Sequence, residues 1–284
     1  MGSLFFVCLD GCLRLRYLLE VLPRECHIQT LGISLPLWYH IGGEFYFEKE
    51  GTAVNPSSLE QIRLPMVEIY ETIEGEGQMA GFPTVFVRLF GCQLRCTWCD
   101  TPYSYAPAEP EEIVSIQDVL NRLESYSSRR LCLTGGEPLI HGDRVVELLR
   151  ALAANPKWLD IHVETNGAVD VSSFINAVPE KHIRYVMDYK LPGSGEYDKM
   201  NDDFLHALRE QDELKFVIAD ETDYLVACSL IRKVSIKAQV LFSPVFESMP
   251  AKSLAERILA DKLDHVKLNI QMHKLIWPPA QRGV

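Results

Sequence analysis

From residue 65 onward the chain becomes regular and switches repeatedly between two hydrophobic periods, and that alternation limits its fold more than any other feature. "TVFVRLF" (84–90) is rich in Val and Phe and reads as a buried strand. "SIQDVLNRLESY" (115–126) has helical spacing, with Ser115 as N-cap and Asp118 at the capping-box position. The pairing then recurs. "LCLT" (131–134) precedes "DRVVELLRALAA" (143–154), and "DIHVE" (160–164) precedes "DVSSFINAV" (170–178). "IRYVMD" (183–188) is followed by "NDDFLHALRE" (201–210), and "LKFVI" (214–218) by "ETDYLVACSLIRK" (221–233). "KAQVLFS" (237–243) and "AKSLAERILADKL" (251–263) make the last pair, before a final extended piece, "HVKLNIQ". Six strand–helix units predict a mostly parallel α/β sheet. Six falls short of the eight that close a full barrel, so an open, partial (β/α)6 barrel fits the count, with a doubly wound sheet second.

In parallel α/β folds the loops leaving the carboxyl ends of the strands gather on one face. Five such loops carry chemically loaded residues: "GCQLRCTWCDT", "GGEP", "TNG", "YKLPGSG" and "PVFE". One pocket shared by these loops is the expectation. The first places Cys92, Cys96 and Cys99 at C-x3-C-x2-C spacing. A structural zinc site takes four ligands, commonly from two knuckles, and the second knuckle is missing. A four-iron cluster normally takes four thiolates. Three thiolates leave one iron with an open position for a small molecule. Trp98 offers that position an apolar wall. A cluster with an open iron is favoured over zinc and over incidental thiols.

The spacing, with an aromatic before the last cysteine, resembles the radical S-adenosylmethionine superfamily, whose fold is a partial (β/α)6 barrel. There the open iron chelates S-adenosylmethionine, and an electron from the cluster cleaves it to a 5'-deoxyadenosyl radical. "TGGEP" (134–138) resembles the superfamily's glycine-rich motif, where glycines let backbone approach a ligand closely. A longer set of segments resembles the 7-carboxy-7-deazaguanine synthase family from about residue 65 to the end. It comprises "EIYETIEGEGQMAGFPTVFVRLFGC" (68–92), "CDTPYSY", "TGGEP", "ETNG" and "LNIQMHKLIW".

That resemblance implies conversion of 6-carboxy-5,6,7,8-tetrahydropterin to 7-carboxy-7-deazaguanine with loss of ammonia, a step toward queuosine and other deazapurines of modified tRNA. It also implies a 4Fe-4S cluster on Cys92, Cys96 and Cys99 and a magnesium ion on the Thr101 hydroxyl. Pterin contacts fall on Ile73, Glu74 and Gly75, largely through backbone, with Arg88 and Thr134. S-adenosylmethionine contacts fall on Gly136, Glu164, Thr165, Asn166 and Lys190. A homodimer and an electron donor such as flavodoxin or ferredoxin complete the implied system. Arg88 is costly in a strand unless paired. It suits a substrate carboxylate, and a structural ion pair with Glu76 or Glu137 is the competing reading. His141 and His273 carry no assigned role.

One departure stands out. Many family members carry glutamine where this chain has Glu74, and a carboxylate only accepts hydrogen bonds where an amide also donates. The end "WPPAQRGV" also runs past the family's usual terminus.

Two other functions are weighed. A glycyl-radical enzyme activase shares the cysteine spacing but not the "EGEG" segment or an arginine in the following strand. A zinc or scaffold protein leaves five loaded loops unexplained. Composition excludes more: a formal net charge of −11 argues against a general nucleic-acid or anionic-membrane binder. No apolar run is long enough for a membrane helix. Eight cysteines, three of them in one loop, read as reduced cytoplasmic thiols rather than a disulfide framework. Residues 1–62 show no sustained period and are expected to be a poorly ordered extension outside a catalytic domain at 63–284, with Met66 as an alternative start. Their apolar beginning imitates a signal peptide, but Asp10, Arg14 and Arg16 interrupt it.

Overall fold

The computed structural model describes residues 38–41, 44–47, 59–246, 248–278 and 281–283, and the chain divides into two units, Met1–Thr52 and Ala53–Val284. In the first unit, strands β1 (Trp38–Ile41) and β2 (Glu44–Phe47) form an antiparallel hairpin with Trp38 opposite Phe47. The expected disorder of residues 1–62 otherwise lies almost wholly outside the described residues.

The second unit is built on nine strands: β3 (Arg63–Ile73), β4 (Pro83–Leu89), β5 (Glu112–Ser115), β6 (Arg130–Gly135), β7 (Asp160–Thr165), β8 (Ile183–Asp188), β9 (Glu213–Ile218), β10 (Gln239–Pro244) and β11 (Val266–Leu268). Their order is β11-β10-β9-β8-β7-β6-β4-β3-β5, and the two ends do not pair with each other. From β4 to β11 every pairing is parallel, while β3 runs antiparallel to both β4 and β5. The sheet is the open, partial barrel expected from the strand count, extended at one end by two antiparallel strands.

The local chemistry of the elements follows their sequences. Helix α1 (Ile116–Leu123) opens on a full capping box: the Asp118 amide donates to Ser115 Oγ at 3.0 Å, and the Ser115 amide donates to Asp118 Oδ2 at 3.3 Å. Ile116, Val119 and Leu123 line its buried face. Helices α2 (Asp143–Ala154), α3 (Ser172–Ala177), α4 (Glu221–Lys233) and α5 (Ala251–Ala260) alternate with the strands as read, and a short α6 (His273–Ile276) follows β11. One segment differs. Residues 201–210 form a 3-10 helix over Asp202–Ala207 rather than an α-helix. Asn201 caps the Asp203 amide at 3.0 Å, and side chains that bond locally to backbone compete with α-helical pairing.

Strand interiors carry polar rows as well as apolar ones. Tyr70, Phe86, Cys132, His162 and Arg184 are register partners in succession across β3, β4, β6, β7 and β8. Glu68, Arg88 and Thr134 form the next row on the same side. Tyr70, Phe86, Arg88, Cys132 and Thr134 of these rows line the functional site.

The position of β3 bears on Met66 as a start. Arg63, Leu64 and Pro65 supply three of the four β3–β5 register pairs, Leu64 is wholly buried, and the Pro65 carbonyl accepts from the Phe90 amide at 2.9 Å. Phe90 leads directly into the cysteine loop. A chain beginning at Met66 is expected to lose about 3 kcal/mol against urea relative to the full chain, from the lost Leu64 side chain and its pairing. Equal denaturation midpoints would show that β5 holds without those residues.

Candidate active site

The loops at the carboxyl ends of the strands enclose a cavity of about 470 Å³. Cys92, Cys96, Cys99 and Thr101 reach it from the loop after β4, and Arg88 from β4 itself. Thr134 and Gly136 line it from β6, with Glu164, Thr165 and Asn166 from β7 and Lys190 from the loop after β8. Ile73, Glu74 and Gly75 close it from the end of β3, and Val245 and Phe246 from the loop after β10. Every residue given a cluster, magnesium, substrate or cofactor role in the sequence therefore lies on one wall or another of a single cavity.

The cysteine loop is held by its neighbours as well as by its own turns. The Thr97 amide and hydroxyl donate to the Ser194 carbonyl at 3.0 and 3.1 Å, and the Arg95 amide donates to Glu196 Oε1 at 2.5 Å. These bonds tie the loop after β4 to the turn after β8. Gly193 in that turn packs on the Trp98 ring; a Cβ there would meet ring carbons at 3.1 Å and Asp223 Oδ2 at 2.6 Å. Two N–H groups approach Cys92 Sγ, from Leu94 at 3.4 Å and from the Asn166 amide group at 3.6 Å. Burial pushes the Cys96 thiol up to about 11 and raises Cys92 as well.

The second loop is locked to the first. The Glu137 amide donates to the Gly91 carbonyl at 2.7 Å, and the Gly136 amide to the Leu89 carbonyl at 3.2 Å. A Cβ on Gly136 would lie 2.4 Å from the Gly91 oxygen and 2.7 Å from Cys92 Cβ, so only glycine permits this approach. The fully buried Glu137 side chain then joins the second loop to the third. Its Oε1 accepts from the Leu139 amide at 3.0 Å; its Oε2 accepts from the Asn166 amide at 2.6 Å and the Thr165 hydroxyl at 3.0 Å. Burial raises its pKa to about 7, against those donors.

Arg88 corrects one expectation. Its ion-pair partner is Glu68, its register neighbour, at 2.8 Å, rather than Glu76 or Glu137. Nη2 donates to Tyr70 Oη at 3.0 Å, whereas Nη1 reaches only the Gly135 carbonyl at 3.5 Å and is the arm left for a ligand. Glu76 instead meets Lys215 Nζ at 3.0 Å and Gln271 Nε2 at 2.6 Å. Burial pulls the Glu76 carboxyl upward, but Lys215 and Gln271 outweigh it and hold it at about 2. Lys215 also reaches Glu164 Oε2 at 3.1 Å, and burial pushes Glu164 up to about 7 despite that ammonium.

Several cavity residues carry no role in the sequence reading. Lys215 stands in β9 as Arg88 stands in β4, a charge inside a buried strand, and that signal could have found it. Asp188 pairs with Lys190 at 2.9 Å, yet its Oδ1 is buried with no hydrogen-bond partner among the described residues. A ligand amine or hydroxyl would satisfy it. His273 lines the cavity against Gly75, where a Cβ would come within 2.4 Å of its Nδ1. His141 is structural: its Nε2 bonds the Phe90 carbonyl at 2.8 Å. Around Glu74, the backbone amide donates to the Phe82 carbonyl and the carbonyl accepts from Gly81, both at 2.8 Å. That occupies this peptide's amide and one lone pair of its carbonyl, while the Glu74 side chain also lines the cavity.

The donor set suits the groups the sequence implies. Three half-buried thiols on one wall, free of disulfides, match a cluster with one open iron. The orphan Asp188 oxygen, Lys190 and the carboxyl end of β7 offer both signs of charge to an amino-acid-like cofactor. Thr101 Oγ1 touches only Cys99 Sγ, at 3.8 Å, among the described residues, so a hard oxygen donor stands available to magnesium.

Comparison with known proteins gives the family. Residues 87–192 match the Radical SAM superfamily. A 7-carboxy-7-deazaguanine synthase of Leptospira interrogans is 36% identical, over 80% of this chain and 100% of its own length. One from Clostridium acetobutylicum is 34% identical, over 77% of this chain and 98% of its own. The crystal structure of QueE from Escherichia coli superposes with a TM-score of 0.62 at 23% identity, covering 78% of this chain and all of that one, a likeness of fold.

Proposed function

The chain belongs to the 7-carboxy-7-deazaguanine synthase family, and we propose that it converts 6-carboxy-5,6,7,8-tetrahydropterin to 7-carboxy-7-deazaguanine with loss of ammonia, within queuosine biosynthesis. One observation carries this reading: three unpaired thiols, two glycine-bearing loops and a partly free arginine converge on one cavity. A glycyl-radical activase is not favoured, because relatives similar along nearly their full length carry the synthase name.

Cys92, Cys96 and Cys99 would hold a 4Fe-4S cluster whose open iron takes S-adenosylmethionine. When bound, cluster and cofactor supply the electron and the 5'-deoxyadenosyl radical that begins the ring contraction. The chain's own residues do the rest. Lys190 and Asp188 present paired charges to the cofactor's carboxylate and amine. Gly136, Thr165 and Asn166, braced through Glu137, set the wall along which the cofactor lies, with Glu164 beside them. Arg88 Nη1 and the Thr134 hydroxyl, register partners on adjacent strands, receive the substrate carboxylate. Ile73, Glu74 and Gly75 bound the substrate's other end, and Trp98 and Phe246 keep bulk water off the reacting atoms.

Residues 63–284 form the catalytic unit of this reading. A flavodoxin- or ferredoxin-class donor supplies the electron, and the working unit is a homodimer, as the family resemblance implies. Free, buried Cys132 and Cys228 suit the reducing cytoplasm. Among the described residues no helix is long and apolar enough to cross a membrane.

The test is anaerobic reconstitution with iron and sulfide, then incubation with the pterin, S-adenosylmethionine, magnesium and a reductant. Formation of 7-carboxy-7-deazaguanine is the expected result; its absence, with zinc bound in place of iron, removes the reading. Thr101→Ala is expected to keep the cluster's visible absorption and lose most of the stimulation by magnesium. An unchanged magnesium dependence would take Thr101 out of the metal site.

A further inference from the structure

Glu74 puts a buried carboxylate on the cavity wall, and the structure sets a partner against it. The Glu74 side chain is buried, lines the cavity, and accepts from His162 Nε2 at 2.8 Å. His162 Nδ1 lies 3.2 Å from Asp160 Oδ2. Asp160 is gripped in turn by Arg184, with Nε at 2.5 Å from Oδ1 and Nη2 at 3.1 Å from Oδ2. Arg184 Nη1 also reaches Glu213 Oε1 at 2.5 Å, and Glu213 accepts from the Gln78 amide in the loop that follows Glu74. Glu74, His162, Asp160, Arg184 and Glu213 are all buried, and the chain of charges alternates in sign along its length.

The Cys132 thiol lies against the same imidazole, and atoms of Glu74, Cys132 and His162 fall within 4.8 Å of one another. That grouping invites a metal reading, but both ring nitrogens face carboxylates. A ring that donates twice is an imidazolium and has no lone pair for a metal. The groups around it are Glu74, Asp160 and Cys132, with Arg184 behind Asp160 and Glu164 two residues along the strand. Three anionic or acidic neighbours favour the charged ring, in agreement with its raised pKa.

We propose that His162 is a positioning residue that holds Glu74 as a fixed acceptor for the substrate's 2-aminopyrimidinone edge, a proposal resting on the substrate assigned above. Glu74 Oε1 takes one bond from the Glu76 amide at 3.1 Å and Oε2 takes one from His162, so each oxygen keeps a lone pair for the cavity. A ring N–H beside an exocyclic amine supplies two parallel donors, the pattern a carboxylate receives with both oxygens. Glutamine would turn one donor toward that edge, so Glu74 narrows recognition to a ligand that donates twice. Without His162 the Glu74 carboxylate would lose the bond to Oε2 that fixes its orientation on the cavity wall.

The test uses the reconstituted full chain and reads KM for the pterin, kcat and cluster absorption. In parallel, calorimetry measures binding of 7-carboxy-7-deazaguanine, which carries the same edge and needs no radical chemistry. His162→Ala is expected to raise KM, and weaken product binding, by about tenfold or more, with a smaller change in kcat. His162→Gln, whose amide nitrogen can stand where Nε2 stands, is expected to recover most of that loss. The double variant Glu74→Gln, His162→Ala should be no worse than the poorer single variant, as expected for one coupled unit. Unchanged KM and product binding in both His162 variants overturns the proposal, as do additive losses in the double variant. If His162→Ala fails to fold, His162→Gln decides: wild-type folding with product binding as poor as in Glu74→Gln refutes a positioning role. A parent enzyme that binds the product but does not turn over the pterin refutes the assigned reaction and leaves the recognition result standing; one that binds neither refutes both.

Discussion

Replacing Cys96 by alanine is expected to abolish the visible absorption of the reconstituted protein and its turnover together, with little effect on the iron-free fold. The loss should exceed the roughly 10–100-fold typical of removing an outer-shell partner, because a thiolate that would touch iron is gone. The asymmetry between cofactor and fold comes from where Cys96 sits. Its side chain is half-buried on the cavity wall, and the backbone on either side is fixed by Arg95 and Thr97 through Glu196 and Ser194. Truncating it removes one sulfur and no hydrogen bond of that scaffold. The melting temperature of the iron-free protein should stay within about 2 °C of the parent. Leu94, two residues away and 2% exposed, is the contrasting position, since its side chain packs inward. A Cys96→Ala protein that still assembles the cluster and makes product would remove the three-thiol assignment.

Glu137→Gln is the second large effect, of the opposite kind. Glu137 touches no iron and faces no solvent, yet its two oxygens accept from two backbone amides and a hydroxyl on two separate loops. An amide presents one oxygen and one N–H₂ group, so it must turn a donor toward a donor. One buried N–H is then left without an acceptor, at about 2 kcal/mol. The damage should appear in urea denaturation and as a raised KM for S-adenosylmethionine, because the Asn166 amide loses its anchor. Cluster loading should survive, since Cys92, Cys96 and Cys99 are held by other bonds. Wild-type stability in this variant would show that the "GGEP" carboxylate is incidental to the bracing of the β7 loop.

The strand–helix alternation was legible because parallel strands buried on both faces read as apolar runs, and every such run became a strand of the parallel sheet. β3 was not. Pro65 lies inside it, Glu68 and Glu71 interrupt its apolar pattern, and a bulge between Met66 and Glu68 shifts its register. The β1–β2 hairpin had a signal that went unused: its strands are separated in sequence by Gly42 and Gly43, residues that two-residue hairpin turns favour. The same shortfall affects the site. Cysteine spacing and post-strand loops are local patterns and can be read from one segment. The partner of Arg88 is a register neighbour, and the His162–Asp160–Arg184 chain runs across two strands, so each depends on pairings no local window contains. A charge inside a buried strand was the available clue. It drew notice to Arg88 and applies equally to His162, Arg184 and Lys215.

The bonds that run from Thr97 and Arg95 to the turn after β8, and from Glu137 to Gly91, have a consequence for how such a protein matures. They join backbone and side chain without calling on iron. Small zinc domains order their ligands only when metal arrives, and their folding and loading are one event. Here, if Cys92, Cys96 and Cys99 hold the cluster as proposed, the ties from Thr97, Arg95 and Glu137 would fix their loop through protein bonds alone, and loading would add to a folded loop rather than fold it. Iron scarcity would then yield a pool of intact, waiting protein rather than misfolded chains, and supply of iron and sulfide could restore it without fresh synthesis.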